Sequence, residues 1–234
     1  MIFINFKTYP QASGENAINL VRIICDVANQ SGVEIISCPQ AVDLREALKT
    51  SNHPASPSRP LRRHSFGASV TWRSRVWAQH ADWRERGRAT GWFPPEVAHE
   101  TGVGGVLLNH SEHKLSVGEL SETLNRCKEV GLKTLVFADS TEEANLIAKF
   151  KPDYIGYEPP ELIASKETSV ARSKPEVIED VVKAISNIPV LIGAGVKGKE
   201  DVEVGLRLGA KGIVLSSAVV LAEDPKSVLL DLAE

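Results

Sequence analysis

A cation, an imidazole and a carboxylate each stand where a short apolar run stops. Asn5-Phe6-Lys7 closes the first run, Asn109-His110-Ser111-Glu112-His113 follows one near mid-chain, and Tyr157-Glu158-Pro159-Pro160 closes a later one. An ammonium can neutralise a phosphate or an enolate, and a neutral imidazole can donate a hydrogen bond to a carbonyl. A fixed carboxylate can remove a proton from carbon. Pro159 restricts Glu158 to extended geometry, which holds its carboxylate in place. Side-chain alternation puts Asn5 and Lys7 on one face of their strand, opposite Phe6. Ser111 and Glu112 read as a first helical turn, whose N–H groups would disfavour a protonated His110.

Two small-residue turns complete the set. Ile192-Gly193-Ala194-Gly195 and Leu215-Ser216-Ser217-Ala218 would let backbone amides come close to a phosphate. Each feature taken alone has a plainer reading. Lys7 is then a solvated strand-end lysine, His110 a structural histidine, Glu158 a loop-edge glutamate, and the glycine stretch an ordinary turn.

Placement is what gives these residues weight. Short apolar runs at 2–6, 33–38, 76–79, 105–108, 133–138, 154–157, 190–192 and 212–215 alternate with segments of helical period. Among the latter are 15–29, 117–129, 141–150, 175–186 and 200–208, and Gly131 and Gly209 sit where helices end. Such alternation predicts parallel strands with crossover helices, and eight of them predict an α/β fold closed as a (β/α)8 TIM barrel. In that fold the site lies at the C-terminal ends of the strands, where all of these polar residues fall. A chain of 234 residues with 42% apolar content fits one such domain over 1–234. Cys25, Cys38 and Cys127 lack paired spacing, so neither a disulfide framework nor a zinc site is expected. A net charge of −3, no membrane-length apolar run and no signal-like start predict a cytoplasmic protein without a membrane partner.

One stretch breaks the rhythm. Residues 50–75 are rich in Ser, Pro and Arg, and residues 59–88 hold eight arginines against Asp82 and Glu85. All four tryptophans, Trp72, Trp77, Trp83 and Trp92, fall in or just after it. Interleaved basic and aromatic residues can bind nucleic acid. With no recognisable binding motif beside the charge, a surface insertion is the expectation and no nucleic-acid partner is expected.

The motifs INFKTYP, AQHAD, GRATG, LLNHSEHK, YEPPELI, SKPEVI, IGAGV and LSSAVV occur in order along nearly the whole chain outside roughly 50–75. In that order and spacing the sequence resembles archaeal-type triosephosphate isomerases. The resemblance implies interconversion of dihydroxyacetone phosphate and D-glyceraldehyde 3-phosphate by enediol proton transfer, a step of glycolysis and gluconeogenesis, with no metal or organic cofactor. It implies Glu158 as base, His110 as electrophile, and Asn5 and Lys7 as substrate-binding, with Glu112 a partner for Lys7. It places Ile163, Gly195, Ser216 and Ser217 on the phosphate, and residues 163–170 in a lid that here contains no glycine. Self-association as a homodimer or homotetramer is implied too, with Trp77, Trp83 and Trp92 either at that interface or packed within the subunit. Two other readings stay open: another phosphosugar isomerase or epimerase, and a catalytically weakened barrel acting as a binding protein.

Overall fold

Strand residues alternate between the lumen of a barrel and the helices around it. A computed structural model describes residues 1–51, 74–159, 175–185, 187–193, 196 and 198–234. Within it are seven strands: β1 (Ile2–Asn5), β2 (Ile35–Cys38), β3 (Gly105–Leu108), β4 (Lys133–Ala138), β5 (Tyr154–Tyr157), β6 (Val190–Ile192) and β7 (Gly212–Leu215). They pair in parallel in the order β2-β1-β7-β6-β5-β4-β3. Phe3, Ile36, Leu107, Leu135, Phe137, Leu191 and Val214 form one buried cluster, the lumen. Their strand neighbours Ile2, Ile4, Val106, Val136, Ile192 and Ile213 belong to a second and larger cluster shared with the helices. A period of two with both faces buried is the pattern of a parallel sheet covered by crossover helices.

The predicted strand at 76–79 is shorter than expected and makes only single bridges, Ser37 to Val76 on one side and Ala78 to Val106 on the other. These still join the two edges of the sheet. Ser37 N donates to Arg75 O at 2.8 Å and Trp77 N to Ser37 O at 2.9 Å. Across the other gap, Ala78 N donates to Gly105 O at 3.0 Å and Leu107 N to Ala78 O at 2.9 Å. Trp77 fills the lumen here, edge-on to Phe3 at 4.9 Å. Side-chain bonds replace the ladder beyond it: Gln79 Nε2 donates to Cys38 O at 2.9 Å and to Lys7 O at 3.0 Å.

The helices are α1 (Glu15–Ser31), α2 (Leu44–Ser51), α3 (Pro95–Thr101), α4 (Val117–Glu129), α5 (Thr141–Ala148), α6 (Pro175–Ala184), α7 (Lys199–Arg207), α8 (Ser217–Val220) and α9 (Pro225–Ala233). Each long helix shows why it forms. α1 buries Ala17, Leu20, Val21, Ile24, Val27 and Ala28 along one stripe, then stops at Gly32 in a left-handed turn at φ 75°. α4 opens on a reciprocal cap, in which Ser116 Oγ accepts from Glu119 N at 3.3 Å and Glu119 Oε2 accepts from Ser116 N at 2.9 Å. Ser116→Ala removes half of that box and should lower unfolding free energy by about 1 kcal/mol, measurable by urea titration with the slope unchanged.

The Arg-rich expectation falls mostly on residues 52–73, outside the described residues. Of the arginines that follow, Arg75 donates to Asn29 Oδ1 at 3.2 Å and Arg86 grips Glu100 through two bonds of 2.6 Å. The Arg84 guanidinium lies 4.1 Å from the ring centre of Trp83 and 4.9 Å from that of Trp92.

Candidate active site

Continuing each strand's alternation by one residue aims a particular side chain at the mouth of the lumen. Asn5 continues Phe3, Gly193 continues Leu191, and Ser216 continues Val214. Glu158 continues Gly156, and its extended pairing persists, with Glu158 N donating to Ala138 O at 2.8 Å. The carboxylate is thus held by strand pairing rather than by a loop, and the residue is 6% exposed.

Three contacts connect Lys7, Glu112, His110 and Glu158. Lys7 Nζ lies 2.6 Å from Glu112 Oε1. Glu112 N donates to His110 Nδ1 at 3.1 Å. His110 Nε2 stands 3.4 Å from Glu158 Oε2. A backbone N–H can only donate, so Nδ1 must be the bare nitrogen and the single ring proton sits on Nε2, facing Glu158. The His110 ring rests edge-on against Phe137 at 5.0 Å. Phe137 has room to do so because residue 156 is glycine; a Cβ there would stand 2.7 Å from the ring.

Burial drives the two titrating groups in opposite directions. It lowers His110 to about 4, assisted by the charge of Lys7. It raises Glu158 to about 8, against the pull of Lys7. At neutral pH the site therefore holds a neutral imidazole and a carboxyl poised near its own ionisation. That combination suits proton transfer at carbon.

Gly193 makes the Glu158 position available. A Cβ on residue 193 would lie 2.7 Å from Glu158 Cδ and closer still to its Cγ and Oε1. Gly193 belongs to the small-residue turn after β6, and its own neighbour is the carboxylate of Glu158.

Two other expectations change. Lys7 lies beyond the strand, in left-handed backbone at φ 48°, so strand alternation does not set its direction. A turn does: Lys7 N donates to Asn5 Oδ1 at 3.0 Å, so the carbonyl oxygen of the buried Asn5 side chain shapes this corner. Ser111 and Glu112 belong to a turn closed by His113 N donating to His110 O at 2.8 Å, and the helix begins only at Val117. His110 is kept neutral by burial, by Lys7 and by the Glu112 amide, with no helix end involved.

Ser216 is half-buried ahead of α8, and its Oγ is buried without a partner among the described residues. Ser217 is exposed as the first residue of that helix. Ile163, Gly195 and the expected lid at 163–170 lie outside the described residues. Sequence reasoning missed Gln79, which ties the corners after β1 and β2 together, and Asn109, which anchors the turn carrying His110. Their signal was weak but present, a polar residue directly after an apolar run.

The sequence model of the family "Triosephosphate isomerase" matches residues 1–234. A triosephosphate isomerase of Methanopyrus kandleri is 39% identical over 235 residues, covering 99% of this chain and 95% of that protein. One of Methanobacterium bryantii is 35% identical, covering 99% and 95%. One of Methanocaldococcus jannaschii is 34% identical, covering 99% and 98%. With a family match over residues 1–234 and relatives aligned over 95% or more of both chains, this chain belongs to the triosephosphate isomerase family.

Proposed function

We propose that the chain interconverts dihydroxyacetone phosphate and D-glyceraldehyde 3-phosphate through an enediol intermediate. The observation that carries this reading is the linked set of Lys7, His110 and Glu158, with a neutral ring donor facing a buried carboxyl. Ionised Glu158 takes a proton from the carbon beside the substrate carbonyl. The electron pair left behind forms the enediolate, and His110 Nε2–H supplies a proton to the carbonyl oxygen. The resulting imidazolate takes the proton of the neighbouring hydroxyl, and Glu158 returns its proton to the former carbonyl carbon. Lys7 offsets the negative charge as it builds. This division of labour is the family's established pattern, and the scheme uses only protein groups. Asn5 shapes the Lys7 corner and binds substrate beside Lys7, and Ser216 and Ser217, with Ile163 and Gly195, bind the phosphate.

The reading extends to one barrel domain over 1–234, cytoplasmic, and associating as a homodimer or homotetramer. No helix among the described residues is long and apolar enough to cross a membrane. The 42%-exposed Trp92, beside Trp83 and Arg84, supports a contact surface.

A coupled spectrophotometric assay with either triose phosphate tests the activity, and an inactive folded protein would overturn it. The same assay tests the base. Because Glu158 must be ionised and burial raises it, kcat/KM should rise with pH along a limb displaced from the ordinary 4.5 towards about 8. A limb lying entirely below pH 5 would contradict this.

A further inference from the structure

The turn that carries His110 is anchored by a residue that does not itself face the site. Asn109 is 2% exposed and holds left-handed backbone at φ 59°. Asparagine tolerates that region better than any residue except glycine. Its side chain is also fully engaged. Nδ2 donates to Phe137 O at 2.9 Å and to Glu143 Oε1 at 2.9 Å, while Oδ1 accepts from Leu115 N at 3.0 Å. The last bond closes the loop from 109 to 115 upon itself, with His110 inside it. The first two fasten that loop to the end of β4 and the first turn of α5.

Glu143 is the outer half of the same arrangement. Its carboxylate accepts from Lys114 Nζ at 2.9 and 2.8 Å and from Asp139 N at 2.8 Å, and its own amide is capped by Ser140 Oγ at 3.2 Å. Lys114 also reaches Asp139 Oδ2 at 3.1 Å. Asn109 therefore grips the carbonyl of Phe137, whose ring supports the His110 imidazole, and binds a carboxylate held in turn by Asp139 N and Lys114. A ring atom displaced by about 1 Å can cost on the order of 10²-fold in rate, so a fixed mount for His110 is a catalytic requirement.

We propose that Asn109 and Glu143 form a positioning clamp for His110, tying its turn to the β4–α5 corner. This inference rests on the reading of His110 as the electrophile. Neither residue touches the substrate in the scheme above.

Two variants and one control test it. Asn109→Gly keeps the left-handed backbone but removes all three side-chain bonds; Glu143→Ala removes the outer anchor and leaves residue 109 intact. Each is expected to lower kcat about tenfold or more with KM within about threefold, since orientation in the transition state is lost while ground-state binding remains. The double variant should lose less than the product of the two, because the residues act as one unit. The His110 ring signals in 15N-histidine spectra should shift or broaden in both variants. Folded variants with wild-type kcat and unchanged His110 signals overturn the clamp. If Asn109→Gly does not fold, Glu143→Ala decides by the same criteria. His110→Asn is the control: wild-type turnover in that protein would overturn the role of His110 itself, whereas loss there with normal turnover in the clamp variants overturns the clamp alone.

Discussion

Glu158→Gln is expected to lower kcat by at least about 10²–10⁴-fold, the range that a positioned general base supplies. Glutamine preserves size and can still sit beside His110 Nε2, but it has no lone pair basic enough to take a carbon-bound proton. KM should change little by comparison, because the lost interaction exists only in the transition state. The same substitution should make the protein more stable at alkaline pH. Glu158 is higher in the folded chain, at about 8, than its ordinary 4.5. Between those values the folded form holds a proton that the unfolded chain has released. Its contribution to stability is therefore complete below about pH 4.5 and is lost as pH rises through about 8. At pH 9 the buried carboxylate costs the native state on the order of a few kcal/mol, which glutamine removes. Thermal melts at pH 9 should place the variant above the parent, with a gap that closes towards pH 5. Equal activity in the two proteins would sink the assignment of Glu158, and a lower melting temperature at pH 9 would sink the account of its burial.

Gly193→Ala should cost about 10²-fold in kcat/KM with a smaller loss of stability. The added methyl falls upon Glu158 Cγ, Cδ and Oε1, and residue 193 lies outside the left-handed region, so alanine meets no backbone penalty. What yields is the Glu158 side chain, which must swing away from the methyl and from the His110 ring. Single-turnover kinetics would localise the loss to the proton-transfer step, and circular dichroism would show the barrel intact. A variant with wild-type turnover would mean that the carboxylate does not need its present place.

Much of the fold was legible because the barrel imposes simple periods. Short apolar runs located all seven strands of the described residues, and three- to four-residue spacing located α1, α4, α5, α6 and α7. Glu158 and His110 were legible for the same reason: a titratable residue directly after an apolar run has to emerge at the strand's end. Failures came where side chains rather than periodicity shape the backbone. Lys7 turns left-handed because Asn5 Oδ1 captures its amide, a bond that alternation cannot anticipate. The helix after His110 starts late because Ser116 and Glu119 cap one another. That Ser-x-x-Glu spacing was available in the sequence and outranks Ser111-Glu112 as a start signal. The task of Gly193 could not be read at all, since its crowding neighbour lies 35 positions earlier in the chain.

The thin joint between β2 and β3 has a mechanical consequence. A hoop is only as stiff as its least-bonded link, and here that link is two bridges reinforced from above by Gln79. Lys7, anchored on one side of the joint, reaches across it to Glu112 on the other. The pair acts as a brace across the rim as well as placing a charge. Strain at the joint would reach Lys7 first, while the Asn109 and Glu143 bonds hold the His110 turn to the β4–α5 corner. The mouth therefore has a yielding side that carries the cation and a fixed arc that carries both the electrophile and the base.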